Sequence, residues 1–180
     1  RVQTADDRTR GNVYRTVELQ HMMGNYLQGK VKRSNYSLDY VAPIEFVKRD
    51  LLLHPYVMGA LLGDGSLSSG NLSITKGDIE LIDKFRLLLP DYDTLSNKRG
   101  ITYRIKKKNK KEKNEKGFLV KCETAKALDD YGLTGTKSDT KFIPKDYKLS
   151  CIEDRWELLR GLLDTDGYTN GSFIEYSSAS

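Results

Sequence analysis

The sequence predicts an α+β fold built around an antiparallel sheet. Three observations carry that expectation. From Pro55 onward, segments with helical apolar spacing are separated by short alternating segments that bunch in pairs. Paired strands suit hairpins, whereas a parallel sheet would alternate single strands with helices. Two apolar helices far apart in the chain, Val57 to Gly65 and Leu158 to Gly167, each close on Asp-Gly. Each also carries a Gly five residues before its last acid, Gly59 before Asp64 and Gly161 before Asp166. A mid-helix Gly costs about 1 kcal/mol against Ala. Two at one offset therefore predict a close backbone contact, as when two such helices cross.

Composition sets the bounds. The 180 residues suffice for one domain with a sizeable core, or one domain plus a piece of another. At 38% hydrophobic and 31% charged, the chain reads as a soluble globular protein. No run approaches the length of a membrane span, so no membrane partner is expected. Arg1-Val2-Gln3-Thr4 has no Met and opens no apolar leader, which reads as a chain cut from something longer. Cys122 and Cys151 are the only cysteines and lack metal-ligand spacing, which fits a reduced cytosolic setting. A net charge of +5 permits nucleic-acid binding without establishing it.

The elements follow in order. Residues 1–53 are polar and basic. Tyr14 to Met23 reads as a short helix opened by Thr16, and Asn35 to Val41 as an edge strand stopped by Pro43. His21 and His54 are isolated and read as structural or surface residues. A helix runs from Pro55 to Leu62, with Pro where its missing N–H costs least. Asn71 to Lys76 alternates as a strand. Asp78 caps a helix from Ile79 to Leu89, whose apolar stripe is Ile79, Ile82, Phe85, Leu88 and Leu89. Two strands, Ile101 to Lys107 and Gly117 to Glu123, flank the basic run Lys106 to Lys116. That run is either a solvated hairpin tip or a ribbon set against phosphates. Thr124 to Tyr131 is a short helix closed by Gly132. A loop through Lys141-Phe142-Ile143-Pro144 leads to the last helix, from Ile152 to about Asp164, and Phe173 to Ser177 reads as a strand.

Several familiar sites fail on spacing. Asp164 to Glu175 resembles a calcium loop, but Tyr168 and Thr169 stand where an oxygen ligand and the sharp-turn Gly belong. Gly63-Asp64-Gly65 with Gly70 fits neither a dinucleotide fingerprint nor a P-loop, since no Lys-Ser/Thr follows. The plain alternative is two amphipathic helices ending in Asp-Gly turns. Crossing them on their glycines, however, brings Asp64 and Asp166 to one end of the seam. Adjacent carboxylates resist ionising together unless a cation joins them. Mg²⁺, held by one or two carboxylates and keeping water and phosphate ligands, resolves that conflict. Two acids, a divalent ion and a basic surface point to phosphodiester hydrolysis.

These motifs resemble those of LAGLIDADG homing endonucleases of the DOD type, as embedded in inteins. Leu159 to Gly167 matches well; Val57 to Gly65 matches more loosely, with Leu62 where the second copy has Asp164. Lys141-Phe142-Ile143-Pro144 resembles the Lys-x-Ile-Pro block of intein endonucleases. The resemblance implies an αββαββα half with an antiparallel sheet for residues 54–180, its second half truncated. It makes residues 1–53 a remnant of the N-terminal splicing segment and its connector. In the intact parent, which would cleave both strands of a long asymmetric DNA site, it makes Asp64 and Asp166 the catalytic, metal-binding acids for Mg²⁺, and Lys141 the basic residue that stabilises charge or positions water; for this fragment by itself it leaves cleavage open. The sheet strands would face double-stranded DNA, with Lys76, Arg104, Lys106, Lys108 and Lys121 as candidate contacts. No small-molecule cofactor is expected. The full-length parent would be a monomer, cytoplasmic and acting on nucleoid DNA.

The resemblance also has departures. The N-terminal nucleophile, the Thr-x-x-His block and the terminal His-Asn of a splicing intein are not in this sequence, so splicing is not expected of it. Two alternatives stay open: a LAGLIDADG-derived module that binds DNA or RNA without cutting, and a piece of a splicing intein.

Overall fold

The computed structural model describes residues 3–4, 13–38, 40–109, 113, 115, 117 and 119–179. The chain divides into two compact units, Arg1–Pro43 and Ile44–Ser180. Among the described residues the first unit holds β1 (Gln3–Thr4), α1 (Leu19–Gly24), β2 (Leu27–Gln28), β3 (Arg33–Ser34) and β4 (Tyr36–Ser37). β1 pairs with β4 and β2 with β3, both antiparallel. The expected N-terminal helix is shorter than its sequence signal and starts after Glu18, not at Thr16. The expected strand Asn35 to Val41 contracts to β4, and its Asp39 lies outside the described residues.

The second unit begins with an extended stretch that on sequence alone went with the N-terminal segment. Residues 44–54 are held here by specific bonds. The Arg49 amide donates to Ser150 Oγ at 3.1 Å, and its guanidinium pairs with Asp146 at 2.8 Å. Tyr147 Oη donates to the Leu53 carbonyl at 2.9 Å.

α2 (Pro55–Asp64) follows. His54 caps it, with Nδ1 accepting from the Tyr56 amide at 3.2 Å, and Pro55 occupies the first turn. Every residue from Pro55 to Leu62 is buried, so this is a core helix rather than an amphipathic one. Then come β5 (Gly65–Ser66), β6 (Ser73–Thr75), α3 (Ile79–Leu87), β7 (Asp93–Arg99), β8 (Thr102–Lys107) and α4 (Glu123–Asp130). From α2 the order is α-β-β-α-β-β-α. α5 (Lys145–Lys148), α6 (Ile152–Asp166), β9 (Gly167–Thr169) and β10 (Ile174–Tyr176) complete the unit, and β9 pairs antiparallel with β10.

The main sheet is antiparallel throughout, in the order β5-β6-β8-β7. One face is apolar. Ile74 and Ile105 are buried, and Leu95 and Tyr103 pack against the same core as α2, α3, α4 and α6. The registers place Ser73, Arg104 and Ser96 across one row, and Thr94 beside Lys106 in the next. Successive side chains alternate between faces, so this row belongs to the polar face away from the helices. Each large core side chain here contributes about 1.5–3 kcal/mol.

One expectation is corrected. β8 pairs not with Gly117 to Glu123 but with β7, through a turn at Gly100, whose φ is +55°. A residue with a Cβ is strained at that φ, and Gly is not. Of the predicted second strand, Leu119 forms an isolated bridge to Lys113, and Phe118 lies outside the described residues. So do Lys110, Lys111, Glu112, Asn114 and Lys116 of the basic run.

α3 shows the Asp78 cap as expected, its carboxylate accepting from the Leu81 amide at 3.2 Å. Its buried stripe is Leu81, Ile82 and Phe85, and Ile79 is exposed. α4 takes its N-terminal acceptor from another element. Asp93, buried at the start of β7, accepts from the Glu123 amide at 2.9 Å, and from the amide and hydroxyl of Thr124 at 2.7 and 2.6 Å. Gly132 closes α4 with φ +69°. No described helix is long and apolar enough to cross a membrane.

Candidate active site

The site lies where the C-terminal ends of α2 and α6 meet. The two helices cross on glycines. A Cβ built on Gly161 would sit 2.8 Å from the Ala60 amide nitrogen and 3.1 Å from Gly59 Cα. A Cβ on Gly59 would sit 3.0 Å from the Leu162 nitrogen and 3.1 Å from Gly161 Cα. Backbone therefore packs directly on backbone. A second contact lies one turn further on. A Cβ on Gly63 would come within 2.7 Å of Thr165 Cβ and 3.2 Å of Asp166 Oδ2. Gly63 and Thr165 occupy equivalent places in the two motifs, a pairing that superposing the motifs could have suggested.

Beyond this contact the seam delivers Asp64 and Asp166, the last residues of their helices. The two acids interact. Partial burial, and then the charge of Asp64, hold the Asp166 carboxyl above its usual range, while Lys76 and Lys141 pull it back. A helix C-terminus carries partial negative charge, so two such ends plus two carboxylates favour cations.

Two lysines supply that charge. Lys141 is buried, and its Nζ donates among four carbonyls at the end of α2: Leu61 at 3.1 Å, Leu62 at 2.9 Å, Gly63 at 3.1 Å and Gly65 at 2.8 Å. It thus supplies a donor to the Leu62 and Gly63 carbonyls in the last turn of α2, where helix carbonyls run out of intrahelical partners, and adds to the bond that Leu61 already accepts from the Gly65 amide. Burial holds its ammonium below the usual range, opposed by Asp166 and Asp64. Lys76 lies 2.9 Å from Asp64 Oδ2 and donates to the Thr165 carbonyl at 2.6 Å.

The remaining predicted residues distribute differently. Arg104 and Lys106 are on the polar face of the sheet, with the Arg104 guanidinium donating to the Gly70 carbonyl. Lys108 is exposed just past β8. Lys121 is ion-paired with Asp129 of α4 at 2.5 Å. Lys76, read from sequence as a DNA contact, sits among the acids instead.

Asp164 is not part of the acid pair. It accepts from Tyr56 Oη at 2.7 Å and lies 3.7 Å from Lys84 Nζ, which stacks 3.6 Å over the Tyr56 ring. Burial and the Asp164 bond push the Tyr56 phenol well above its ordinary range. This strut ties α6 to the first turn of α2 and to α3.

The acids open onto a cavity of about 720 Å³, also lined by Ser138, Lys148 and Tyr176. The donors facing it are hard oxygens. Among the described residues no group of three or more His, Cys, Asp or Glu side chains is placed to hold a metal ion. Two carboxylates suit Mg²⁺, which commonly keeps several waters and takes one or two protein carboxylates. They do not suit ions that prefer thiolate or imidazole.

No protein-family profile matches the chain. Over 147 residues, 81% of its length, it is 29% identical to a replicative DNA helicase DnaB of Mycobacterium intracellulare. The aligned stretch is 20% of that helicase, so the chain spans about a fifth of the relative it matches.

Proposed function

We propose that the Ile44–Ser180 unit is a LAGLIDADG-type homing endonuclease module, embedded in an intein, that hydrolyses phosphodiester bonds in double-stranded DNA with Mg²⁺. The observation that carries this reading is the glycine-to-glycine crossing of α2 and α6, which ends in Asp64 and Asp166. The α-β-β-α-β-β-α order and the four-stranded sheet with a polar face fit the same reading. So does a match confined to a fifth of a replicative helicase, as an insertion within a host protein would give.

Asp64 and Asp166 would hold the cation. A bound Mg²⁺ supplies charge stabilisation at phosphate oxygens and a more acidic water. Lys141 acts as a positioning residue, because its bonds to the last carbonyls of α2 fix the turn that presents Asp64. Arg104, Lys106 and Lys108 would neutralise DNA phosphates along the sheet, which makes binding salt-dependent.

A second reading is a module that binds nucleic acid without cutting. It is favoured by the ion pair through which Lys76 already neutralises Asp64. Incubation of a randomised duplex library with Mg²⁺ separates the two. A nuclease yields recurrent cut ends that vanish in Asp64→Asn and Asp166→Asn; a binder enriches sequences without cutting them.

A further inference from the structure

Lys76 occupies the place where the resting site most needs positive charge. It follows β6 directly, and its backbone amide is fixed by donation to the Ile101 carbonyl at 3.0 Å. Its main chain therefore belongs to the sheet, while its side chain reaches across to the helix ends. There the ammonium bridges the two helices, 2.9 Å from Asp64 Oδ2 of α2 and 2.6 Å from the Thr165 carbonyl of α6. The side chain is three-quarters buried, and that of Asp64 nearly so. Lys141 cannot take over this role, since its ammonium is committed to carbonyls of the last turn of α2 and of Gly65.

We infer that Lys76 is a tethered cation that competes with the divalent ion for Asp64. It holds the acid pair together while no metal is bound, and it must leave Asp64 when metal enters. This rests on the reading that Asp64 and Asp166 take Mg²⁺. An ammonium at hydrogen-bond distance and a divalent ion at about 2.0–2.1 Å from the same carboxylate repel each other strongly. The Lys stem is flexible and its head is a compact point charge, so it can swing away without moving the sheet. The site is then neutral and assembled without metal, and its metal affinity is held down by its own side chain. Lys76 is a positioning residue in this scheme.

The test is Mn²⁺ binding to the whole chain, read from the loss of the free-ion electron paramagnetic resonance signal. Lys76→Met removes the charge and keeps the length; Lys76→Gln carries the same prediction should the Met variant fold poorly. Removal of the competing charge is expected to tighten Mn²⁺ binding by about tenfold or more, from the size of a close like-charge interaction. Lys76→Arg keeps the charge and should stay within about twofold of wild type on the same grounds. Adding Asp64→Asn and Asp166→Asn to Lys76→Met should abolish the tight binding. If Lys76→Met and Lys76→Gln bind Mn²⁺ no more tightly than a wild type that does bind it, the competition is refuted and the metal reading survives. If neither the wild type nor any charge-removed variant binds Mn²⁺, the metal reading falls and the competition with it.

Discussion

Gly161→Ala is the sharpest perturbation of the seam. In an isolated helix the change would be favourable by about 1 kcal/mol. Here the new Cβ would lie 2.8 Å from the Ala60 nitrogen and 3.1 Å from Gly59 Cα, and closer still to the Tyr56 carbonyl oxygen. All three neighbours are backbone, so no side chain can rotate away. Ordinary carbon contacts lie near 3.5–4.0 Å, so the helices must part by roughly 1 Å, forfeiting about a quarter to a half of the dispersion energy across the gap. Overpacking of this kind costs about 1–3 kcal/mol before that loss is added. Set against the helix gain, the net is a destabilisation of roughly 2 kcal/mol. With a urea m-value of about 2 kcal/mol/M, the unfolding midpoint should fall by about 1 M. Gly59→Ala should behave alike, and the double variant should cost less than the sum, since both methyl groups open the same gap. A Gly161→Ala midpoint equal to or above wild type would refute backbone-to-backbone packing of α2 on α6.

Other outcomes follow from the same structure. Asp93→Ala uncaps α4 and leaves one buried and one half-buried amide without this acceptor, so it should cost about 2–3 kcal/mol in urea unfolding, and Asp93→Asn less. His54 caps α2 only while Nδ1 is unprotonated, and burial holds its imidazole below the usual range against the pull of Glu157 and Asp154. Because the folded value lies below the unfolded one, the His54 contribution is complete above about pH 6.5 and is lost as pH falls through the folded value. His54→Asn should keep a cap and flatten that acid loss, while His54→Ala should cost about 1 kcal/mol at pH 8. Stability measured against pH for the three proteins checks both statements.

Much of the second unit was legible because local signals and tertiary roles agree there. Pro55, the Asp78 cap and the stop at Gly132 mark helix ends through their own chemistry, and the shared Gly-to-acid offset marks the crossing. The strand β7 escaped because Asp93 to Arg99 is polar, with Leu95 its one aliphatic residue. With no pattern to mark β7, the alternating segment next in the chain stands as the partner of β8, and the turn at Gly100 carries no signal of its own. The α4 cap was hidden for a different reason: its acceptor, Asp93, lies thirty residues upstream of the amides it serves. Lys76 read as one basic strand residue among several, because no local pattern says that a side chain at the end of β6 reaches the helix ends. Resemblance puts Lys141 beside the acids, but its commitment to the carbonyls at the end of α2 follows from the fold alone.

The most direct test of the central proposal is cleavage of a randomised duplex DNA library, with sequencing of the ends on both strands. In Mg²⁺ the intact parent protein is predicted to produce ends that recur at one long asymmetric sequence. Asp64→Asn and Asp166→Asn should abolish them while leaving the far-ultraviolet circular dichroism unchanged. Folded wild-type protein that leaves no recurrent ends, or recurrent ends that persist in both variants, would contradict the account.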